Sequence, residues 1–376
     1  MREFQRYTPA IKIDKPTVLL DSQKVKANIE KMAVKAQTSG VKFRPHFKTH
    51  QSAEIGDWFR NYGVDSITVS SLSMAKYFAE HDWRDITVAI NVNLLEIDSI
   101  NELAPNINLN LILDHENAVD FLGQYLKYPV NIFIKIDTGY GRTGIHWQDQ
   151  HTISYILQKI SRSSKMSFVG LLTHTGHNYE AKSIEQIKRN YQQTVSRLIE
   201  LKHKILQNGL PQCWLSIGDT PSCQVAENFK PIDEIRPGNF VFYDLMQYHL
   251  GVCSIQEIAV AVACPVIGKY PDRNEVVIYG GAVHFSKDYL LNENGVKVFG
   301  YLAVFENNKW DALNKDIYLY SLSQEHGKLK VTDEFMKQVQ LGDVLCFFPV
   351  HSCLTTNLHR HYQTLDGKII SRFNLE

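Results

Sequence analysis

Apolar and polar positions change rhythm twice along this chain. Near the start, Val18-Leu19-Leu20 is followed by Asp21 and Ser22, then by Val25, Ile29, Met32, Ala33 and Ala36. The first run predicts a short strand. The second follows helical spacing, with Asp21 or Ser22 as its cap and Gly40 as its stop. From there strand-like runs recur at 41–47, 65–70, 86–90, 107–113, 130–137, 167–173, 213–217 and 232–236. Helix-like stretches separate them, such as 73–80 and the long one from about 182 to 208. Ile132-Phe133-Ile134 and Phe168-Val169-Gly170-Leu171-Leu172 are apolar on both parities, as parallel strands covered on both faces require.

Eight strands with helix-length connections predict an α/β fold, a closed (β/α)8 TIM-type barrel. An open doubly wound sheet is the alternative, but no G-x-G-x-x-G follows an early strand. After about residue 245 the helical period fades. Runs at 255–262, 276–279, 298–304, 317–320, 328–331 and 344–348 alternate with Gly, Asn, Asp and Pro, which predicts a C-terminal, mainly β domain. The barrel is expected over 22–245 and the β domain over 246–376.

Composition narrows the partners. The 376 residues carry 40 Lys plus Arg against 40 Asp plus Glu, so net charge favours neither nucleic acid nor an anionic membrane. No run of about 18 apolar residues is present. The first residues lack the apolar segment of a signal peptide, and the six cysteines form no C-x-x-C pair. The expectation is a soluble cytoplasmic protein with reduced thiols.

Chemistry in a barrel gathers where strands run into the following helices. The first strand ends at Arg44-Pro45-His46-Phe47-Lys48-Thr49-His50. If the chain stays extended there, Arg44, His46, Lys48 and His50 share one face. A lysine in that company is a candidate nucleophile toward a carbonyl, although a polar strand end with a solvated lysine is the plainer alternative. The fifth strand ends at Asp137-Thr138-Gly139-Tyr140-Gly141-Arg142-Thr143-Gly144 and the sixth at His174-Thr175-Gly176-His177-Asn178-Tyr179. The seventh and eighth end at Gly218-Asp219-Thr220-Pro221-Ser222 and Arg236-Pro237-Gly238-Asn239. A glycine turn with free backbone N–H groups and nearby hydroxyls suits a phosphate, although such residues make ordinary turns too. A lysine on strand one with a phosphate site on strands seven and eight suits pyridoxal phosphate.

With those motifs in place, the chain resembles the fold-type III pyridoxal-phosphate enzymes, in the subgroup of D-serine dehydratase and D-threonine aldolase. Gly280-Gly281-Ala282-Val283-His284-Phe285-Ser286-Lys287-Asp288, Ser323-Gln324-Glu325-His326-Gly327 and Pro349-Val350-His351-Ser352-Cys353 extend the likeness through the β domain. The resemblance implies that segment 1–21 joins the β domain and that the protein is a homodimer. It implies Lys48 as the lysine that binds the cofactor and moves the Cα proton. It implies Arg236 facing the pyridine nitrogen, and Gly218, Thr220, Gly238 and Asn239 as the phosphate cradle. Arg142, His174 and Tyr179 would stand by the ring, and His46 and His50 would orient Lys48.

His351 and Cys353 lie two apart, so on a strand they would point the same way. Imidazole plus thiolate suits Zn2+ by softness, and two protein ligands leave room for water or substrate. In the family position, His-x-Cys resembles the dehydratase branch and His-x-Asp the aldolase branch. The expected activity is therefore a zinc-assisted lyase converting D-serine or another D-3-hydroxy amino acid to a 2-oxo acid and ammonia. The alternatives are retro-aldol cleavage, then amino-acid racemisation, then a non-catalytic pyridoxal-phosphate carrier.

Overall fold

The computed structural model describes residues 12–207, 209, 212–306 and 309–374. Residues 1–11 of the segment expected to join the β domain lie outside the described residues. The chain divides into two compact units, one running from Glu30 to Gly238 and the other combining the residues up to Ile29 with Asn239–Asn374.

Among the described residues of the first unit, eight parallel strands form one sheet. They are Lys42–Phe43, Ser66–Val69, Asp85–Asn91, Asn108–Leu113, Val130–Asp137, Met166–Leu172, Trp214–Ile217 and Glu234–Ile235. The last pairs with the first through Glu234 opposite Lys42. The ring closes through the parallel bridge of His46 with Thr68, where the Phe47 N–H donates to the Thr68 carbonyl at 2.8 Å. The expected barrel is therefore present, strand for strand. Helices occupy the connections, including Leu72–Glu80 and Ile184–Gln207. The long helix buries Ile187, Tyr191, Thr194, Val195, Leu198, Leu201 and Ile205, a stripe at helical spacing that packs it on its unit.

Apolar contacts bury Ile132, Phe133 and Ile134 completely. Arg44, Thr68, Asn110, Lys135, Ser216 and Glu234 are buried as well. Arg44, Thr68, Asn110, Ser216 and Glu234 are tolerated there because they are paired: the Asn110 amide donates to Asp85 Oδ1 at 2.9 Å, for example.

The first strand departs from expectation in its length. Regular pairing stops at Phe43, and Phe47 to His50 form a turn. Pro45 has no N–H to continue a ladder, so Arg44, His46, Lys48 and His50 do not share one face.

Among the described residues of the second unit, a nine-stranded sheet runs Glu275–Tyr279, His326–Lys330, Lys309–Leu322, Gly300–Glu306, Val344–Pro349, Val260–Tyr270, Thr17–Leu20, His361–Thr364 and Ile369–Ser371. Its pairings are antiparallel except between Thr17–Leu20 and His361–Thr364. The strand expected over 255–262 begins only at Val260. Ile255–Glu257 is a 3-10 turn instead, held where Glu257 Oε2 accepts from the Ser254 N–H at 2.8 Å and its hydroxyl at 3.0 Å. Among the described residues, no helix is long and apolar enough to cross a membrane.

Candidate active site

Lys48 leaves the first strand on the exposed side of the Phe47–His50 turn. Its backbone N–H donates to His46 Nδ1 at 3.4 Å, which puts His46 beside it. Burial, then the positive charges of Lys48 and Arg236, hold His46 well below its ordinary pKa. It is a neutral imidazole at physiological pH. His50 turns the other way. Its ring is fully buried against Phe47, with centroids 4.4 Å apart, and against Phe59 at 5.7 Å. Of the two histidines expected to tune or orient Lys48 and its surroundings, His46 lies beside it and His50 lies in the aromatic core behind the turn.

Arg44 is also absent from the Lys48 face. Its Nε donates to Glu234 Oε2 at 2.6 Å, and its Nη atoms grip both oxygens of Asp85 at 2.6 and 3.0 Å. Burial works against the Arg44 charge, but Glu234 and Asp85 overcome it and raise its pKa.

The next loop is built by Asp137. Its Oδ1 accepts from the N–H groups of Gly139, Tyr140 and Gly141 at 2.8, 2.9 and 3.1 Å. Glycine is needed at 139 and 141, where φ is 119° and 75°. The loop presents an exposed Arg142, whose guanidinium lies 5.3 Å from the Tyr140 ring centre. Tyr140 packs so tightly on Gly176 that a Cβ there would meet the ring at 2.2 Å. Its ring centre is 6.0 Å from that of His174, and Tyr179 lies 6.2 Å away on the same histidine.

His174 donates from Nδ1 to the Gly218 carbonyl. Burial lowers its pKa strongly, with Lys135, Lys48 and Arg142 adding to the effect. It too is neutral. Lys135 was missed in the sequence, although a lysine between Ile134 and Ile136 in a buried strand is a signal in itself. It lies 7% exposed in the barrel. Burial, then the charges of Arg236 and Arg142, bring it down to about 7.

Gly218 and Gly238 form two close approaches. A Cβ on Gly218 would sit 2.9 Å from both Cβ and O of Arg236, and one on Gly238 equally close to Cβ and O of His46. Asp219 caps the short helix Thr220–Val225 by accepting from the Ser222 N–H at 2.7 Å. Thr220 at its start is fully buried. Arg236 is buried, donating from Nε to Ser216 Oγ and from Nη2 to the Thr173 carbonyl, both at 2.7 Å.

These residues fit pyridoxal phosphate on three counts. An accessible amine stands at the mouth of the ring. Two glycines leave room where any side chain would block backbone approach. Arg142 and Arg236, with a Lys135 that is part-protonated near neutrality, make the surroundings cationic while the imidazoles stay neutral, which suits a phosphorylated anion.

His351 and Cys353 lie in the second unit, but not on a strand. The strand ends at Pro349, His351 precedes the helix Ser352–Asn357, and Cys353 is in its first turn. The side chains still meet, through a hydrogen bond between them. Burial opposes the His351 charge, but Cys353, Asp244 and Asp288 raise it to about 9. Fully buried Asp244 organises this turn: its Oδ2 accepts from the Ser352 N–H at 2.8 Å and from the Asn239 amide at 2.7 Å. The same amide reaches Ser352 Oγ at 3.0 Å and Cys353 Sγ at 3.7 Å. The amide nitrogen of Asn239, a residue expected at the phosphate, thus serves the His351–Cys353 turn. Among the described residues, no group of three or more His, Cys, Asp or Glu side chains is arranged around a metal position. The pair supplies two soft donors, leaving the remaining positions to water or substrate.

Two family models match the chain: "Alanine racemase, N-terminal domain" over residues 20–245, and "Putative serine dehydratase domain" over 259–365. The chain is 28% identical to a D-serine dehydratase of Dictyostelium discoideum, over 96% of each chain. It is 27% identical to a D-threo-3-hydroxyaspartate dehydratase of Delftia sp. (strain HT23), over 95% of this chain and 96% of that one. The solved Delftia structure superposes with a TM-score of 0.89, 26% identity, and coverage of 97% and 99%. A mutant of that dehydratase has been solved in a metal-free form. A D-threonine aldolase of Arthrobacter is 21% identical over 97% of this chain and 90% of that one.

Proposed function

The chain belongs to the fold-type III pyridoxal-phosphate family through its alanine racemase-type N-terminal domain, and on that premise we propose that it is a zinc-assisted lyase dehydrating D-serine or a related D-3-hydroxy amino acid. The observation that carries the cofactor assignment is an accessible Lys48 at the mouth of a ring that also carries Arg142, Arg236 and two neutral imidazoles. The lyase class rests on the relatives, which are dehydratases and aldolases of D-hydroxy amino acids.

Pyridoxal phosphate, when bound, supplies an electron sink that acidifies the Cα–H bond of an amino acid. In this reading Lys48 Nζ would hold the cofactor and, when its amine is free, would take the Cα proton. Gly218, Thr220 and Gly238 would hold the phosphate and Arg236 would stand at the ring nitrogen, where a cation would disfavour its protonation. Tyr179, His174 and Arg142 border the ring. His46 accepts the Lys48 backbone N–H at 3.4 Å and so orients the turn. His351 and Cys353 would hold zinc, which would supply Lewis acidity toward a β-hydroxyl leaving group. Cys353 in place of a carboxylate favours zinc over harder metals. The reading also takes the protein as a cytoplasmic homodimer, and a monomer in sedimentation equilibrium at micromolar concentration would remove that part.

Product analysis tests the proposal. The purified protein with pyridoxal phosphate is incubated with D-serine, D-threonine and D-threo-3-hydroxyaspartate. A 2-oxo acid with ammonia is expected, and Lys48→Ala should abolish both product and the absorbance of lysine-bound cofactor. Glycine with an aldehyde would replace dehydration by the retro-aldol reading that the D-threonine aldolase relative supports. Metal analysis of protein purified without added metal tests the zinc; no zinc, and no gain on adding it, would sink that part.

A further inference from the structure

Arg44 opens the motif that carries Lys48, yet nothing in the proposed reaction uses it. It lies at one end of a buried chain of polar contacts whose other end is Arg236. Arg44 Nε donates to Glu234 Oε2 at 2.6 Å. Glu234 Oε1 accepts from Ser216 Oγ at 2.7 Å, and Ser216 Oγ accepts from Arg236 Nε at 2.7 Å. Glu234 and Ser216 are both fully buried. The direction of the chain is forced. A guanidinium N–H can only donate, so Ser216 must accept from Arg236 and send its own hydrogen to Glu234. Glu234 therefore accepts on both oxygens, the role of an ionised carboxylate.

Charge alternates along this chain from Asp85 through Arg44 and Glu234 to Arg236. Glu234 Oε1 also lies 3.9 Å from Arg236 Nε, so it offsets part of the Arg236 charge while sharing its own with Arg44. Other groups acting on Arg236 are Asp219, the Cys223 thiol, Lys135 and His46. Of these, Asp219 lies on the seventh-strand turn, Cys223 on the short helix after it, His46 at the first strand and Lys135 on the fifth. The direct hydrogen bonds of Arg236 go to Ser216 and to the Thr173 carbonyl, and Glu234 acts on it at 3.9 Å and through Ser216.

We propose that Ser216 and Glu234 are positioning residues for Arg236: they hold its guanidinium plane and set how much positive charge it presents to the ring nitrogen of the cofactor. Arg44, anchored on Asp85, occupies the other oxygen of Glu234. The inference rests on the pyridoxal-phosphate reading above. Glu234→Gln removes the offsetting charge but keeps the shape, so Arg236 acts on the ring as a fuller cation. Ser216→Ala keeps every charge but removes the acceptor that fixes Arg236 Nε.

The test reconstitutes purified variants with pyridoxal phosphate and reads two quantities: the pH titration of the lysine-bound cofactor absorbance, and the cofactor dissociation constant. Glu234→Gln should move the titration midpoint down by on the order of one pH unit, the effect of losing one neighbouring buried negative charge. Ser216→Ala should weaken cofactor binding by about tenfold, the loss of one hydrogen bond to a charged group, and Ser216→Thr should restore it. A Ser216→Ala protein that binds and titrates as the wild type does would overturn the proposal, even if Glu234→Gln fails to fold. If the wild type lacks the lysine-bound band, or Lys48→Ala keeps it, the cofactor reading itself falls.

Discussion

Replacing Arg44 by methionine keeps much of the aliphatic stem and removes a charge that two carboxylates share. Arg44 is 3% exposed, Glu234 is fully buried and the Asp85 side chain is 20% exposed. Burial alone would raise the Asp85 pKa, but Arg44 and then Lys42 hold it at about 2. Against an ordinary 3.8, that difference corresponds to about 2 kcal/mol after allowance for residual exposure, with Lys42 retaining part in the variant. Glu234 loses its 2.6 Å donor and keeps only the Ser216 hydroxyl and the more distant Arg236, a cost of about 2 kcal/mol for a buried charge one partner short. The sum falls near the 3–5 kcal/mol typical of breaking a buried pair by removing one member. The pH dependence has a definite sign. In the wild type the depressed Asp85 contributes stability that is present above pH 4 or so and lost as pH falls through about 2. In the variant the carboxylate pKa values rise, so the penalty is full at neutral pH and relieved on acidification. Denaturant unfolding at about pH 7 and about pH 3 checks both halves. A gap under about 1 kcal/mol at about pH 7, or one that stays constant down to about pH 3, would refute the reasoning.

Gly238→Ala places a Cβ 2.9 Å from the His46 carbonyl, which cannot retreat because His46 bridges to Thr68. It should cost about 1–3 kcal/mol of strain and weaken cofactor binding, and unchanged melting and affinity would contradict it. Gly218→Ala should behave alike against the Arg236 backbone. Asp219 is raised to about 6, burial outweighing its hydrogen bonds from Ser222 and Asn178. A raised carboxylate favours the protonated native state, so its contribution is full below about pH 4 and declines as pH rises through about 6. Cofactor-free wild type should therefore lose about 3 kcal/mol relative to Asp219→Asn across that window, measured as the difference between their stability–pH curves. Parallel curves would contradict the assignment.

Most of the architecture is legible in the sequence. Strand runs apolar on both parities, separated by helix-length polar stretches, leave a parallel ring as their natural solution, because each such strand must be covered on both faces. The glycine turns at 218 and 238 and the loop from Asp137 to Gly144 are visible for the same local reason, since glycine and aspartate specify backbone shape within a few residues. The H-x-C pair is visible too, though not its geometry. His351 and Cys353 converge across a helix start held by Asp244 and Asn239, residues more than a hundred positions earlier.

What the tertiary structure decided was the direction of side chains at the first strand and the identity of their partners. Alternation along an extended chain would group Arg44, His46, Lys48 and His50. The turn at Phe47 sends Arg44 to Glu234 and Asp85, His50 into the aromatic core, and leaves Lys48 with His46 at the mouth. Likewise nothing local marks Ser216 or Glu234 as partners of Arg236. Periodicity reports which face a residue occupies in its own element, whereas pairing between buried charges depends on register between strands distant in sequence. Only closure of the ring, with Glu234 beside both Lys42 and Ser216, brings those charges together.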